Sequence, residues 1–161
     1  MPVKLIQPRY ILSRTEKVGP ESEAVIAYSI DYVENQPKGA GVLYFNTLTN
    51  LKTGRKEEKE LLLALQHIPH LRVDQNPTTL VAQVEEFFPN GRKLTPEQLE
   101  QYSRKGTGSI LLKFMELDAR NENAKVLYGI STTKEGMNFF GEKKDFNDVG
   151  FKLPYLFYKL L

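Results

Sequence analysis

Tyr102-Ser-Arg-Lys-Gly-Thr-Gly-Ser109, running directly into Ile110-Leu-Leu-Lys-Phe-Met-Glu-Leu117, is the stretch on which the fold turns. Two glycines one residue apart separate a basic pair from an apolar helical run. Gly106 and Gly108 lack Cβ, so the backbone there can adopt φ > 0 and come close to a ligand. The residues that follow open a helix whose first N–H groups have no acceptor inside it. Those donors, the positive end of the helix dipole and the charges of Arg104 and Lys105 together favour a phosphate or pyrophosphate. The alternative for an isolated Gly-x-Gly is a loop and helix start with no ligand.

Upstream, the chain reads as strands and helices in mixed order. Tyr10-Ile-Leu12 is extended and precedes a break at Gly19-Pro20. Ala24 to Val33 is rich in β-branched and aromatic residues and predicts a strand. Asn35-Gln-Pro-Lys-Gly39 is turn material, and Gly41-Val-Leu-Tyr-Phe45 returns as a hairpin partner. Lys56 to Ile68 predicts a helix with Leu61, Leu62, Leu65 and Ile68 on one broad face, stopped by Pro69. Leu71-Arg-Val73 reads as a short strand and Asn76-Pro77 as a turn. Thr78 to Phe88 is the longest strand signal in the chain. Thr95-Pro-Glu-Gln98 has the composition of a helix start, with Thr95 as cap and Pro96 at the first helical position, leading into the glycine loop.

The loop, its helix and the tail together resemble the core of the GCN5-related N-acetyltransferase (GNAT) superfamily. That family carries Gln/Arg-x-x-Gly-x-Gly/Ala at a helix start, where backbone amides hold the pyrophosphate of acetyl-CoA. Ser103-Arg-Lys-Gly106-Thr-Gly108 occupies this frame, followed by Ser109-Ile-Leu-Leu112. The family then shows a strand, a helix, a Gly-Phe pair and a short closing strand. Here these are Lys125-Val-Leu-Tyr-Gly-Ile130, Thr132 to Lys144, Gly150-Phe151 and Tyr155 to Leu161. The match covers residues 103–161, roughly the last third. It implies a single α+β domain over residues 1–161, with a mixed, mostly antiparallel, twisted sheet flanked by helices. Residues 101–161 would form the acyl-CoA-binding core, and residues 1–100 a divergent half bearing the acceptor-binding face. Two features depart from the family order: a hairpin precedes the first long helix, and Pro89 to Tyr102 intervenes before the loop.

The resemblance implies direct attack of an amine on the thioester of acetyl-CoA, without an acyl-enzyme. The amine must lose a proton and the leaving thiolate must gain one. Glu85 and Glu86 lie on opposite faces of their strand, because side chains alternate, and Glu86 is the carboxylate expected to assist the amine. The strand near Val84 would pair with the pantetheine arm, and the amides of Lys105, Gly106, Thr107, Gly108, Ser109 and Ile110 would hold the pyrophosphate. Ser103 replaces the usual Gln or Arg, and Arg104 beside it supplies charge. Asn138 stands in the helix where an asparagine often contacts the arm. Many relatives place a Tyr near the coenzyme sulfur; counting from either end of this segment puts Phe140 or Phe146 there. Phenylalanine cannot donate a proton, which leaves water, Ser131 or Tyr128 for that step, or no transfer at all. A non-catalytic interaction or regulatory protein that binds CoA is therefore the second expectation, and a small nucleotide-binding module the third.

Composition excludes other classes. With 161 residues, 40% of them hydrophobic and 26% charged, the chain suits one globular domain. A net charge of +2 does not suggest a nucleic-acid scaffold. No apolar run approaches the roughly 18 residues of a membrane span, and no signal-peptide core precedes Pro8, so a cytoplasmic protein is expected. There is no cysteine, hence neither disulfide nor thiol nucleophile. His67 and His70 flank Pro69, lack a third ligand and read as caps at a helix end. Lys52, Arg55, Lys56 and Lys59 interleave with Glu57, Glu58 and Glu60, a salt-bridged solvated face. Ser109 has no Gly-x-Ser-x-Gly setting, and the loop lacks the Gly-Lys-Ser/Thr ending of an NTPase. The expected partners are acetyl-CoA and an unidentified amine acceptor, with a homodimer through sheet edges as a further expectation.

Overall fold

The computed structural model describes residues 10–18, 24–32, 39–88, 107–143 and 145–161. Strands β1 (Tyr10–Val18), β2 (Ala24–Tyr32) and β3 (Gly39–Thr47) form an antiparallel meander that precedes every helix among the described residues. Helices α1 (Leu48–Lys52) and α2 (Lys56–Gln66) follow, then a 3-10 turn at Pro69–Leu71. Next come β4 (Leu80–Phe88), α3 (Thr107–Asn121), β5 (Val126–Ser131), α4 (Lys134–Gly141), β6 (Asn147–Asp148) and β7 (Tyr155–Leu160). The sheet order is β1-β2-β3-β4-β5-β7-β6. Among the described residues only β4 and β5 run parallel; every other neighbouring pair is antiparallel. The architecture is thus α+β, with a mostly antiparallel seven-stranded sheet.

The sequence accounts for most of the boundaries. α2 begins in a capping box in which the Glu58 carboxylate accepts the Arg55 backbone N–H at 3.2 Å. It ends just ahead of Pro69, whose ring cannot continue a helix. Asn123 takes a left-handed φ of 64° after α3 and closes it. The expected strand at Leu71–Val73 does not form. Pro69 opens a 3-10 turn, Arg72 caps it at φ 47°, and its carbonyl accepts the N–H groups of Gln75 and Asn76.

Two apolar layers sandwich the sheet. On one face Leu48, Leu51, Leu61 and Leu65 of α1 and α2 pack on Val81, Val126, Tyr128 and Leu156. On the other, Leu111, Leu112, Met115 and Ala119 of α3, with Met137 and Phe140 of α4, pack on Leu43, Phe45, Ala82, Val84, Leu127 and Phe157. Val81, Ala82, Gln83 and Val84 are all buried, as expected of a central strand covered on both faces. Each such aliphatic side chain taken from water contributes about 1.5–3 kcal/mol. Among the described residues no helix is long and apolar enough to cross a membrane.

Candidate functional site

The parallel pair β4–β5 positions the site. Its ladder runs from Val81↔Val126 to Val84↔Gly129, and there the strands part company. Glu86, Phe87 and Phe88 continue in register with Val42, Gly41 and Ala40 of β3, while Ile130 and Ser131 continue with Leu156 and Tyr155 of β7. A bulge sits at the same level. Leu43 pairs with Val84 and Val42 with Glu86, so Glu85 has no partner in the register. The extra residue resets the alternation: Phe87 packs on the α3/α4 face, with Val84, and Glu86 turns to the α1/α2 face. Glu85 itself is exposed.

α3 runs back along this pair, and its first turn lies at the end where the strands separate. Gly41, opposite Phe87, sits directly beneath Leu111 and Met115 of the first half of α3. Beyond the far end of α3, the Lys125 N–H reaches the Leu80 carbonyl at the start of β4. With the helix starting at Thr107, the amides of Thr107, Gly108 and Ser109 precede its first i→i−4 bond, at the end of the sheet where the strands separate. Gly108 is half-buried; Ser109 and Ile110 are exposed. Ser103, Arg104, Lys105 and Gly106 lie outside the described residues, as does the expected helix start at Thr95–Gln98.

Alongside the first three turns of α3 is a cleft of about 280 Å³. Ser109, Lys113 and Glu116 line it from α3, Lys143 and Asp145 from the chain after α4, and Lys159 from β7. The Lys143 ammonium donates to Ser109 Oγ at 2.7 Å and lies 4.5 Å from the centre of the Phe139 ring. Lys159 bridges Glu116 at 2.8 Å and Asp145 at 3.5 Å, and Arg120 adds a contact to Glu116 at 3.1 Å. Burial opposes the charged form of Glu116, but these hydrogen bonds outweigh it and hold its carboxyl below the usual value. Sequence reasoning did not single out Lys113, Lys143 or Lys159. Ser109, Lys113 and Glu116 share one helical face by spacing; the other residues arrive only through the sheet topology.

The remaining predicted residues divide clearly. Val84 is buried in the last rung of the parallel ladder. Asn138 is exposed on α4, whose buried residues are Met137 and Phe140, and it does not line the cleft. Phe140 is core, stacked on Phe157 with centroids 3.7 Å apart; Phe146 is half-buried, 5.6 Å from Phe157. Ser131 closes the turn before α4, donating to the Thr133 carbonyl at 3.1 Å. Tyr128 is fully buried on the α1/α2 face, where its hydroxyl donates to Glu58 at 2.7 Å and approaches Gln83 at 3.3 Å. Burial and then the Glu58 carboxylate raise its phenol above the ordinary value, which suits a structural bond and not a proton donor.

No protein-family model and no curated protein matches this chain. The residues and their geometry therefore carry the functional argument. A third polar cluster belongs to the scaffold: Asp118 of α3 accepts from the Tyr28 hydroxyl at 2.5 Å and from Arg14 Nε at 3.1 Å, fastening the meander to the helix. Among the described residues there is no group of three His, Asp or Glu side chains able to hold a metal.

Proposed function

We propose that this protein is an acyl-CoA-dependent N-acyltransferase of the GNAT type, taking an acetyl group from acetyl-CoA to an amine. The observation that carries the proposal is the division of β4 from β5 after Val84–Gly129, with the first turn of α3 on one face of the sheet and Glu86 on the other. A thioester held by its diphosphate at that first turn would reach the gap from the α3 side. An amine would meet it from the α1/α2 side, next to Glu86. Free amides suit an anion because their dipoles already point at it. The sequence resemblance would add the glycine motif ahead of Thr107 to this anion site, and Lys113 and Lys143 would supply charge along the flank.

In the transfer, the amine nitrogen forms a bond to the carbonyl carbon as the carbon–sulfur bond breaks. The amine proton passes to Glu86, directly or through water, and the departing thiolate takes a proton from water. Acetyl-CoA is a co-substrate here. A second reading, a protein that binds the coenzyme without transferring its acyl group, is favoured by one specific observation. Phe140 and Phe146, the two positions for a proton-donating Tyr, are hydrocarbon rings packed against Phe157.

Thermal unfolding with acetyl-CoA, desulfo-CoA and ATP tests the assignment. A ligand at about 100 times its Kd adds roughly 2.7 kcal/mol, or about 5–10 °C in Tm for a chain of this length. Stabilisation by both CoA species and not by ATP is expected, and Gly108→Val should abolish it while leaving the fold intact. No shift with either CoA species refutes the proposal. Thiol release with a panel of amines then separates the enzyme from the silent binder.

A further inference from the structure

On the α3/α4 face, four aromatic rings form a wall at and just beyond the last parallel rung. Gly129 has no side chain, and the Phe157 ring lies in the volume a side chain would take, with Cζ 2.2 Å from an ideal Cβ. Phe140 stacks on Phe157 at 3.7 Å with the planes 10° apart. Phe87, turned to this face by the bulge, brings its ring to 5.1 Å from Phe140 and 5.3 Å from Phe139. The four rings span from β4 to α4 across the gap. Phe140 and Phe157 are locked in the core, at 3% and 1% exposure, whereas Phe87 is only half-buried.

We propose that Phe87 determines the length of the acyl group this protein accepts, closing the gap to chains longer than acetyl. The inference rests on the acyltransferase assignment above. An acyl carbon chain extending from a thioester at the gap runs into the face of Phe87, and the fixed rings behind it leave that side chain little room to retreat. A close-packed aromatic wall discriminates by volume, and even one methylene in an apolar pocket is worth about tenfold or more.

Titration calorimetry with acetyl-CoA and hexanoyl-CoA reads this without requiring turnover. The wild-type protein is expected to bind acetyl-CoA at least about tenfold more tightly than hexanoyl-CoA. Phe87→Ala is expected to bring the two affinities within about threefold, or to invert them, and Phe87→Leu to give an intermediate ratio. Phe87→Leu keeps much of the apolar bulk and serves if the alanine variant does not fold. Binding of neither thioester to the wild type overturns the acyl-CoA assignment and the acyl-length limit with it. Equal affinities in the wild type, or an unchanged ratio in a folded variant that still binds acetyl-CoA, overturn the acyl-length limit alone.

Discussion

Replacing Gly129 by alanine puts a methyl group where the Phe157 ring lies. The new Cβ would stand 2.2 Å from Cζ and 2.9 Å from Cε1 and Cε2, against a comfortable carbon–carbon separation of about 3.5–4.0 Å. Relief requires the ring to move by more than about 1 Å. Phe140, stacked on its other face at 3.7 Å, blocks that path. Overpacking of this kind costs about 1–3 kcal/mol. The substitution also stiffens the unfolded chain, which favours alanine by about 0.4–1 kcal/mol. The clash is the larger effect, and a net loss of about 1–2 kcal/mol is expected.

A double-mutant cycle isolates the cause. Phe157→Leu alone should cost about 1–2 kcal/mol, less than the 3–5 of a truncation to alanine. In the double variant the methyl enters space the ring has vacated, so the two losses should fall short of their sum by about 1 kcal/mol or more. Gly41→Ala is the control. Its methyl would meet Met115 Cε at 2.7 Å, the end of a flexible side chain that can swing aside, and a smaller loss follows. Urea unfolding at constant m-value measures all four variants. Additivity within about 0.5 kcal/mol, or a Gly129→Ala variant as stable as the wild type, would refute the claim that Phe157 fills the space over Gly129.

Two further predictions concern the polar ties. Tyr28→Phe removes the donor 2.5 Å from the buried Asp118 carboxylate and should lower stability by about 1.5–3 kcal/mol in urea unfolding; a change under about 0.5 would mean that Arg14 alone satisfies the carboxylate. Glu116 is held below its ordinary value of 4.5 because, despite burial, Lys159 and Arg120 favour its charged form. A depressed folded value means its contribution is present above pH 4.5 and is lost as the pH falls through that lower value. The urea midpoints of wild type and Glu116→Gln should therefore differ most near neutrality and converge in acid; a gap that widens below pH 4 would contradict the cited pairs.

The fold was legible where local chemistry decides. The capping box and Pro69 bound α2, and the β-branched runs of the meander and β4 appear where their composition predicts strands. The strand expected at Leu71–Val73 failed because Pro69 on one side and Asn76-Pro77 on the other leave no extended backbone to pair. The cleft was illegible for a different reason. Ser109, Lys143 and Lys159 are separated by 34 residues and then by a turn of sheet, and no spacing rule links them. Their meeting depends on α3, α4 and β7 sharing one side of β5.

The bulge at Glu85 shows how one residue can redirect the chemistry of a strand. Strict alternation sends Ala82, Val84 and Glu86 to one face and Glu85 with Phe87 to the other. That would aim Glu86 into the α3/α4 layer, among Leu111, Met115 and Phe140, where an unpaired carboxylate is costly. Inserting Glu85 exchanges the partners, so Phe87 enters the apolar layer and Glu86 leaves it. The driving force is burial of an aromatic ring in place of a charge, and it operates whether or not a ligand binds. The same exchange sets the carboxylate on the side opposite the first turn of α3, so both the base and the acyl-length limit proposed for this protein depend on Glu85 staying out of the ladder. Deleting Glu85 would join Val84 directly to Glu86 and leave Glu86 opposite Val42 and Phe87 opposite Gly41, on the faces they already occupy. The prediction is a variant that still folds cooperatively in urea and still binds acetyl-CoA; loss of the fold or of that binding would show that more than the register of this strand depends on the bulge.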